Sequence, residues 1–94
     1  MRLSLEEVST LKSALYDIDP KASLYLFGSR VDDDAKGGDI DLLVISLILA
    51  KKDLATIRWA FFDKFGEQKM DLLLDDGALN TPFAKMIFNK AIKL

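Results

Sequence analysis

The order of helix-like and strand-like segments limits what this 94-residue chain can fold into. Apolar residues at three- and four-residue spacing, typical of amphipathic helices, alternate along it with short apolar runs bounded by turn residues, typical of strands. Between the first two strands, residues 30–38 are polar and predict a short turn or helix followed by a loop. The predicted helices span 4–18, 50–65 and 82–94, and the predicted strands span 22–27, 39–45 and 68–74.

Local signals mark the helix ends. Ser4 and Glu7 have the spacing of a capping box, in which each side chain accepts a hydrogen bond from the backbone of the other. Gly66 is expected to end the second helix. Thr81 is expected to cap the third helix, with Pro82 at its first position.

This element order predicts an α/β (α+β) fold. Its expected form is a two-layer sandwich, in which a small mixed three-stranded sheet carries helices on one face. The other face would be partly open, and polar strand residues are expected to point from it. Residues 1–94 are expected to form a single domain, because one domain usually takes roughly 100–200 residues.

The composition excludes several kinds of chemistry. The chain has no cysteine and no histidine, so it cannot form a disulfide scaffold, a zinc–thiolate site or a histidine general base. Any catalysis must use carboxylates, hydroxyls, amines or a metal ion bound by oxygen. A net charge of −2 and a pI near 5.0 argue against broad nucleic-acid binding, which needs clustered basic residues.

No segment of the sequence has the pattern of a targeting or membrane element. Glu6 and Glu7 fall where a signal peptide would be apolar, and the longest nearly uncharged run, 42–50, is too short to span a bilayer. A cytoplasmic location is therefore expected.

Three aspartates are the candidate metal ligands. Asp39 and Asp41 stand two residues apart on a predicted strand, so their carboxylates point to the same face. Asp71 has the matching phase on the third strand and shares that face if the two strands are neighbours. Three close carboxylates repel one another, and Mg²⁺ or Mn²⁺ would remove the conflict. The alternative interpretation is three solvated acids on the open face of a sheet.

A second candidate element follows the first strand. Gly28 at the strand end would let a phosphate approach the backbone closely, and the Ser29 hydroxyl could donate to its oxygens. Arg30 could reach the same phosphate or simply be solvated. Taken alone, this Gly-Ser pair is also consistent with an ordinary turn.

The two motifs together resemble a known signature. Gly28-Ser29-Arg30 is followed after eight residues by Asp39-Ile40-Asp41, and Lys69-Met70-Asp71 comes later. This pattern resembles that of the DNA polymerase β-type nucleotidyltransferase superfamily, in particular the minimal nucleotidyltransferases (MNT proteins), and the resemblance covers the whole chain.

The resemblance implies a reaction and a set of roles. Gly28, Ser29 and Arg30 would bind the nucleotide, and Asp39 and Asp41 would bind Mg²⁺, two ions being expected. Asp71 would bind metal and help deprotonate the acceptor. An acceptor hydroxyl would attack the α-phosphorus of ATP and release pyrophosphate.

The resemblance also implies a partner. MNT proteins are typically paired with HEPN-type toxins, so the chain would be an antitoxin that transfers AMP to a hydroxyl of its partner. Two alternatives remain open. One is an inactive MNT-fold antitoxin that acts by contact alone. The other is a small-molecule, antibiotic-type nucleotidyltransferase, which would need a second domain or a homodimer to build an acceptor pocket.

Apolar residues near the second helix allow two interpretations. Four aromatics fall within seven residues, and one helix face cannot bury them all. Together with the apolar run 47–49, they predict either a partner interface or a well-filled core. The acidic run 32–34 is interpreted as a solvated loop. The four aromatics are Trp59, Phe61, Phe62 and Phe65.

Overall fold

A computed structural model describes residues 3–31 and 39–94, apart from the side chain of Ser29. Within these ranges, helices and strands alternate along the chain. Their order is α1 (Leu5–Ile18), β1 (Ser23–Phe27), a 3-10 helix η1 (Gly28–Val31), β2 (Ile40–Ile45), α2 (Lys51–Phe65), β3 (Met70–Asp75), α3 (Pro82–Lys90) and β4 (Ile92–Lys93).

The four strands form one mixed sheet in the order β3-β2-β1-β4. β1 is antiparallel to both β2 and β4, whereas β2 and β3 are parallel neighbours. Parallel neighbours need a crossover connection, and α2 provides it. The β3 strand lies at one edge of the sheet.

The core lies between the sheet and the two longer helices. Helices α1 and α2 bury apolar residues at helical spacing against one face of the sheet. The strands supply every second residue of β1 and β2 and the start of β3 to this face. The main contributors are Leu11, Leu15, Leu24, Leu26, Ile40, Leu42, Val44, Ile57, Phe61, Met70 and Leu72.

The predicted fold class is confirmed, and so are the predicted signals at Ser4, Gly66 and Thr81. The backbone N–H of Glu7 donates to Ser4 Oγ at 3.1 Å, and the Ser4 N–H donates to Glu7 Oε1 at 2.9 Å. Gly66 follows α2 with a φ of 87°, and Thr81 Oγ1 accepts from the backbone of Ala84 at 3.0 Å. These features depend on residues close in sequence, which is why the sequence predicts them.

The sheet has a fourth strand that the sequence analysis missed. The last helix was expected to run to the C-terminal residue, but α3 ends at Lys90 and the chain turns back as β4. Leu26 pairs with Ile92, and the backbone N–H of Leu94 donates to Leu24 O at 2.9 Å. A two-residue strand is too short to show a periodicity in the sequence. β4 forms by pairing with the edge of β1 that β2 leaves open.

The helices were expected on one face of the sheet, but α3 packs on the opposite face. Tyr25, which points away from the core, meets Phe88 of α3 with ring centroids 5.1 Å apart. Leu43 is buried on that face too, and it lines a cavity of about 210 Å³ together with Ile87. The uninterrupted apolar run 42–44 has the composition of a strand buried on both faces, which explains the third helix there.

A buried polar pair joins two connections at one end of the sheet. Ser46 Oγ donates to Asp19 Oδ2 at 2.7 Å and accepts from the backbone N–H groups of Ile48 and Leu49. Asp19 also accepts from the backbone of Lys21 at 2.9 Å. The pair therefore ties the segment after α1 to the loop between β2 and α2.

The aromatic residues of α2 and the apolar run 47–49 before it are partly buried in the core and partly exposed. Phe61 is fully buried, whereas Trp59 is 66% exposed and Leu47 is 84% exposed. The predicted acidic loop at 32–34 lies outside the described residues. In the described ranges, every helix is too short or too polar to cross a bilayer.

Candidate active site

The parallel pairing of β2 and β3 brings two of the predicted acids together. Asp41 and Asp71 are direct partners in the strand register, on the face of the sheet opposite the main core. The two carboxyl groups are close enough that Asp71 helps to raise the pKa of Asp41. The expectation that Asp71 shares a face with Asp41 is therefore confirmed by the register.

Asp41 lies in an electrostatically costly position. Burial raises the pKa of its carboxyl above the ordinary value, and the charge of Asp71 and the hydrogen bond with it raise the pKa further. The charge of Asp39 acts in the same direction, whereas that of Lys69 lowers the pKa. Two ionised carboxylates offer only acceptors and repel each other, so this position disfavours the charged form of Asp41.

Asp39 lies near this pair but has a different partner. It directly precedes β2, and Lys69 Nζ lies 3.4 Å from its Oδ2. The backbone N–H of Ile40 donates to Lys69 O at 3.1 Å, so the two chain segments are also held together by their backbones. Across 3–31 and 39–94, no three acidic side chains converge closely enough to hold a metal ion.

Gly28 lies directly against Asp41. Its φ is 77°, in the left-handed region that favours glycine. A Cβ at this position would collide with the Asp41 carboxylate and would lie 3.1 Å from its Cγ. Only glycine therefore allows the strand end and Asp41 to approach this closely.

The other two predicted nucleotide-binding residues lie in η1, next to the acids. Ser29 has its backbone there, but its side chain is outside the described part of the chain. Arg30 follows it and is half-buried. The segment that the sequence identified as phosphate-binding is therefore adjacent to Asp41 through Gly28.

The donor set fits a hard divalent cation. Asp41 and Asp71 offer carboxylate oxygens side by side, and the charge of Asp71 helps to raise the pKa of Asp41. Oxygen ligands without nitrogen or sulfur suit Mg²⁺. Asp39 could join them only after leaving Lys69, whose ion pair is largely exposed and hence weak.

A depression beside the two acids adds residues that the sequence analysis did not identify as functional. Its volume is about 380 Å³. Arg58 of α2 and Phe83 of α3 reach it, and Phe83 is 57% exposed. Arg58 comes four residues after the core residue Leu54, and residues at this spacing lie on the same side of a helix. This spacing is the sequence signal that could have predicted Arg58 beside the sheet. The lining residues are Phe27, Asp41, Arg58, Asp71, Leu72, Leu73 and Phe83.

Comparison with known protein families gives a match over nearly the whole chain. The model of the family described as a nucleotidyltransferase domain matches residues 8–93. The match includes Gly28, Asp39, Asp41 and Asp71. No curated protein matches the chain.

Proposed function

The chain belongs to the nucleotidyltransferase domain family, and on this premise we propose that it transfers AMP from ATP to a hydroxyl group of a partner protein. We further propose that the reaction depends on Mg²⁺ and that the partner is a HEPN-type toxin, which makes this chain the antitoxin of the pair. The observation that carries the catalytic part is the direct pairing of Asp41 and Asp71 beside Gly28.

That pairing is costly for a purely structural role. Like charges directly opposite each other on a sheet are destabilising, and here one of them is half-buried. A bound divalent cation would remove the repulsion. The acid pair is therefore better explained as a binding site for a cation than as ordinary surface.

In the proposed site, Asp41 and Asp71 would hold Mg²⁺, and Asp39 would join them once it has left Lys69. When bound, Mg²⁺ neutralises charge on phosphate oxygens and makes the acceptor hydroxyl more acidic. Gly28 leaves space for the phosphates at the backbone, and Ser29 and Arg30 donate hydrogen bonds to them. The acceptor oxygen forms a bond to the α-phosphorus, the bond to the bridging oxygen breaks, and pyrophosphate leaves. The hydroxyl proton passes to Asp71.

The acceptor is proposed to arrive on another protein. The described helices and strands pack around one sheet, and the depression beside the acids is open rather than an enclosed pocket for a small molecule. Leu47, Ile48 and Trp59 are large exposed apolar side chains, which are common where proteins contact each other. The HEPN-type partner rests on the resemblance to the MNT proteins.

A second candidate function is favoured by one observation. Asp39 is paired with Lys69, and the three acids do not converge in the described part of the chain. A domain of this fold that neutralises its partner by contact alone would need no converging acids. This binding antitoxin is the alternative that the experiment below separates from catalysis.

The test follows the α-phosphate of ATP. Purified protein, Mg²⁺ and ATP labelled at the α-phosphate are incubated with a lysate of the source cells. Asp41→Asn is the catalytic variant, and Asp63→Asn, an exposed aspartate on α2, is the matched control. We expect a labelled protein with wild type and Asp63→Asn, and a loss of label by at least about 100-fold with Asp41→Asn.

Two other outcomes would contradict parts of this proposal. Label on an RNase-sensitive species would contradict a protein acceptor. An absence of label from a chain that still forms a stable complex with its partner would favour the binding antitoxin.

A further inference from the structure

The depression beside the acids continues along the edge strand β3. A second depression, of about 440 Å³, shares Arg58, Leu72 and Leu73 with the first. We call the two together the β3 groove. Asp41, Asp71 and Phe83 line one end, and Lys51 and Leu54 of α2 line the other.

Charged residues are unevenly placed along the β3 groove. Both of its acids lie at the end that carries the proposed chemistry, Arg58 lies where the two depressions meet, and Lys51 lies at the other end. Within residues 3–31 and 39–94, neither cation has a carboxylate partner, and Arg58 is half-buried. A partly shielded guanidinium without an ion-pair partner is complementary to a carboxylate of another molecule.

The position of the β3 groove fits the acceptor rather than the nucleotide. Gly28 follows β1, and the groove begins beside it at Phe27 and Asp41 and continues past Asp71 along the edge strand β3. In an in-line displacement, the attacking oxygen approaches the phosphorus from the side opposite the leaving group. With the leaving phosphates at Gly28, that approach comes from the direction of Asp71 and the groove.

We propose that the β3 groove binds an acidic segment of the acceptor protein. Arg58 and Lys51 contact carboxylates of that segment, and Phe83 packs against the side chain that carries the reacting hydroxyl. The proposal rests on the nucleotidyl transfer proposed above and adds the chemistry by which the acceptor is recognised. Arg58, Lys51 and Phe83 are then specificity-determining residues.

The test compares two fluorescent peptides of ten residues. Each has one central phenylalanine, which fills the place of the acceptor side chain without reacting. In one peptide glutamates flank it, and in the other lysines do. Binding is measured by anisotropy with Mg²⁺ and an ATP analogue whose α,β-bridging oxygen is replaced by a methylene group.

Wild type is expected to bind the glutamate peptide at least about fivefold more tightly, as one partly shielded ion pair provides. Arg58→Glu and Lys51→Glu should each reverse or abolish this preference. Lys52→Glu, the same charge change on the neighbouring residue of α2 outside the groove, should retain it. Phe83→Ala should weaken binding of both peptides.

Two results would overturn the proposal. One is equal binding of both peptides to wild type. The other is a loss of affinity for the ATP analogue in Arg58→Glu with the peptide preference unchanged, which would make Arg58 a nucleotide ligand. Failure of label transfer with the peptide preference intact would instead reject the catalytic function and leave the groove as a binding site. Label transfer that is insensitive to both charge reversals would reject the groove alone.

Discussion

Asp41 and Asp71 are direct neighbours across the parallel pair of β2 and β3, on the face of the sheet opposite the main core. Their chain positions are 30 residues apart, so the contact is purely a product of the fold. Most of the properties expected of the candidate site follow from this contact.

The stability of the chain without metal should depend on the charge of Asp41. Its pKa is raised in the folded state, so the folded chain binds more protons than the unfolded chain just above the ordinary aspartate pKa. Stability is therefore expected to fall as pH rises through the interval between the two pKa values. Asp41→Asn should raise the free energy of unfolding at neutral pH by roughly 0.2–1 kcal/mol.

Urea unfolding in the presence of a chelator, at neutral and at acid pH, checks this. The gain from Asp41→Asn should disappear below the ordinary aspartate pKa, where the wild-type carboxyl is protonated in both states. Asp63→Asn serves as the control, because its side chain is exposed and should give no comparable gain. An equal gain at both pH values would show that charge is not the cause.

Adding Mg²⁺ should stabilise the wild-type chain. A ligand that binds only the folded state adds about 2.7 kcal/mol at a concentration 100 times its dissociation constant. The rise in melting temperature should be lost in Asp71→Asn, which removes one of the two adjacent carboxylates. NaCl at matched ionic strength separates specific binding from screening, and an equal shift with NaCl would contradict a metal site.

Gly28→Ala should damage both stability and nucleotide binding. The left-handed φ costs a non-glycine residue about 1–3 kcal/mol, and the collision with Asp41 adds to it. Gly66→Ala is a matched control, since Gly66 also has a positive φ of 87° but no atom within 4 Å of an added Cβ. The control should lose stability from strain alone and keep its affinity for an ATP analogue. Equal affinities in the two variants would argue against a phosphate beside Gly28.

Ser46→Ala should destabilise the end of the sheet away from the candidate site. The substitution leaves the buried Asp19 carboxylate without the hydroxyl that donates to it. An unsatisfied buried polar group costs about 1–3 kcal/mol, more when it is charged. Ser13→Ala, at an exposed position of α1, should change the free energy of unfolding by less than about 0.5 kcal/mol. A comparable effect of both substitutions in urea unfolding would disprove a specific role for the buried pair.

The features that the sequence predicts well are helix-end signals and the face of the sheet to which a strand residue points. The capping box of Ser4 and Glu7 depends on residues three apart, and the stop at Gly66 depends on one backbone conformation. The strand phase of Asp41 and Asp71 is also local, because alternation on each strand decides which face a side chain takes. The two side chains become neighbours only if β2 and β3 pair, and the sequence analysis had to assume that pairing.

The features that the sequence did not predict depend on contacts between distant parts of the chain. The face that α3 covers is decided by Tyr25 and Leu43, which become neighbours only when β1 and β2 pair. The ion pair of Asp39 with Lys69 depends on the arrival of the segment before β3. Arg58 is an ordinary helix-surface residue until α2 packs beside β3. None of these contacts leaves a pattern within a short window of sequence.

The crossover through α2 also sets the order in which the candidate site can be assembled. Two parallel strands cannot become neighbours until the helix that connects them has crossed the sheet, and such long-range pairing is slow compared with the closure of local turns. The acids are therefore far apart in any folding intermediate in which β3 has not yet docked. In a newly made chain, the proposed cation site would therefore be completed as one of the last events of folding, together with the core.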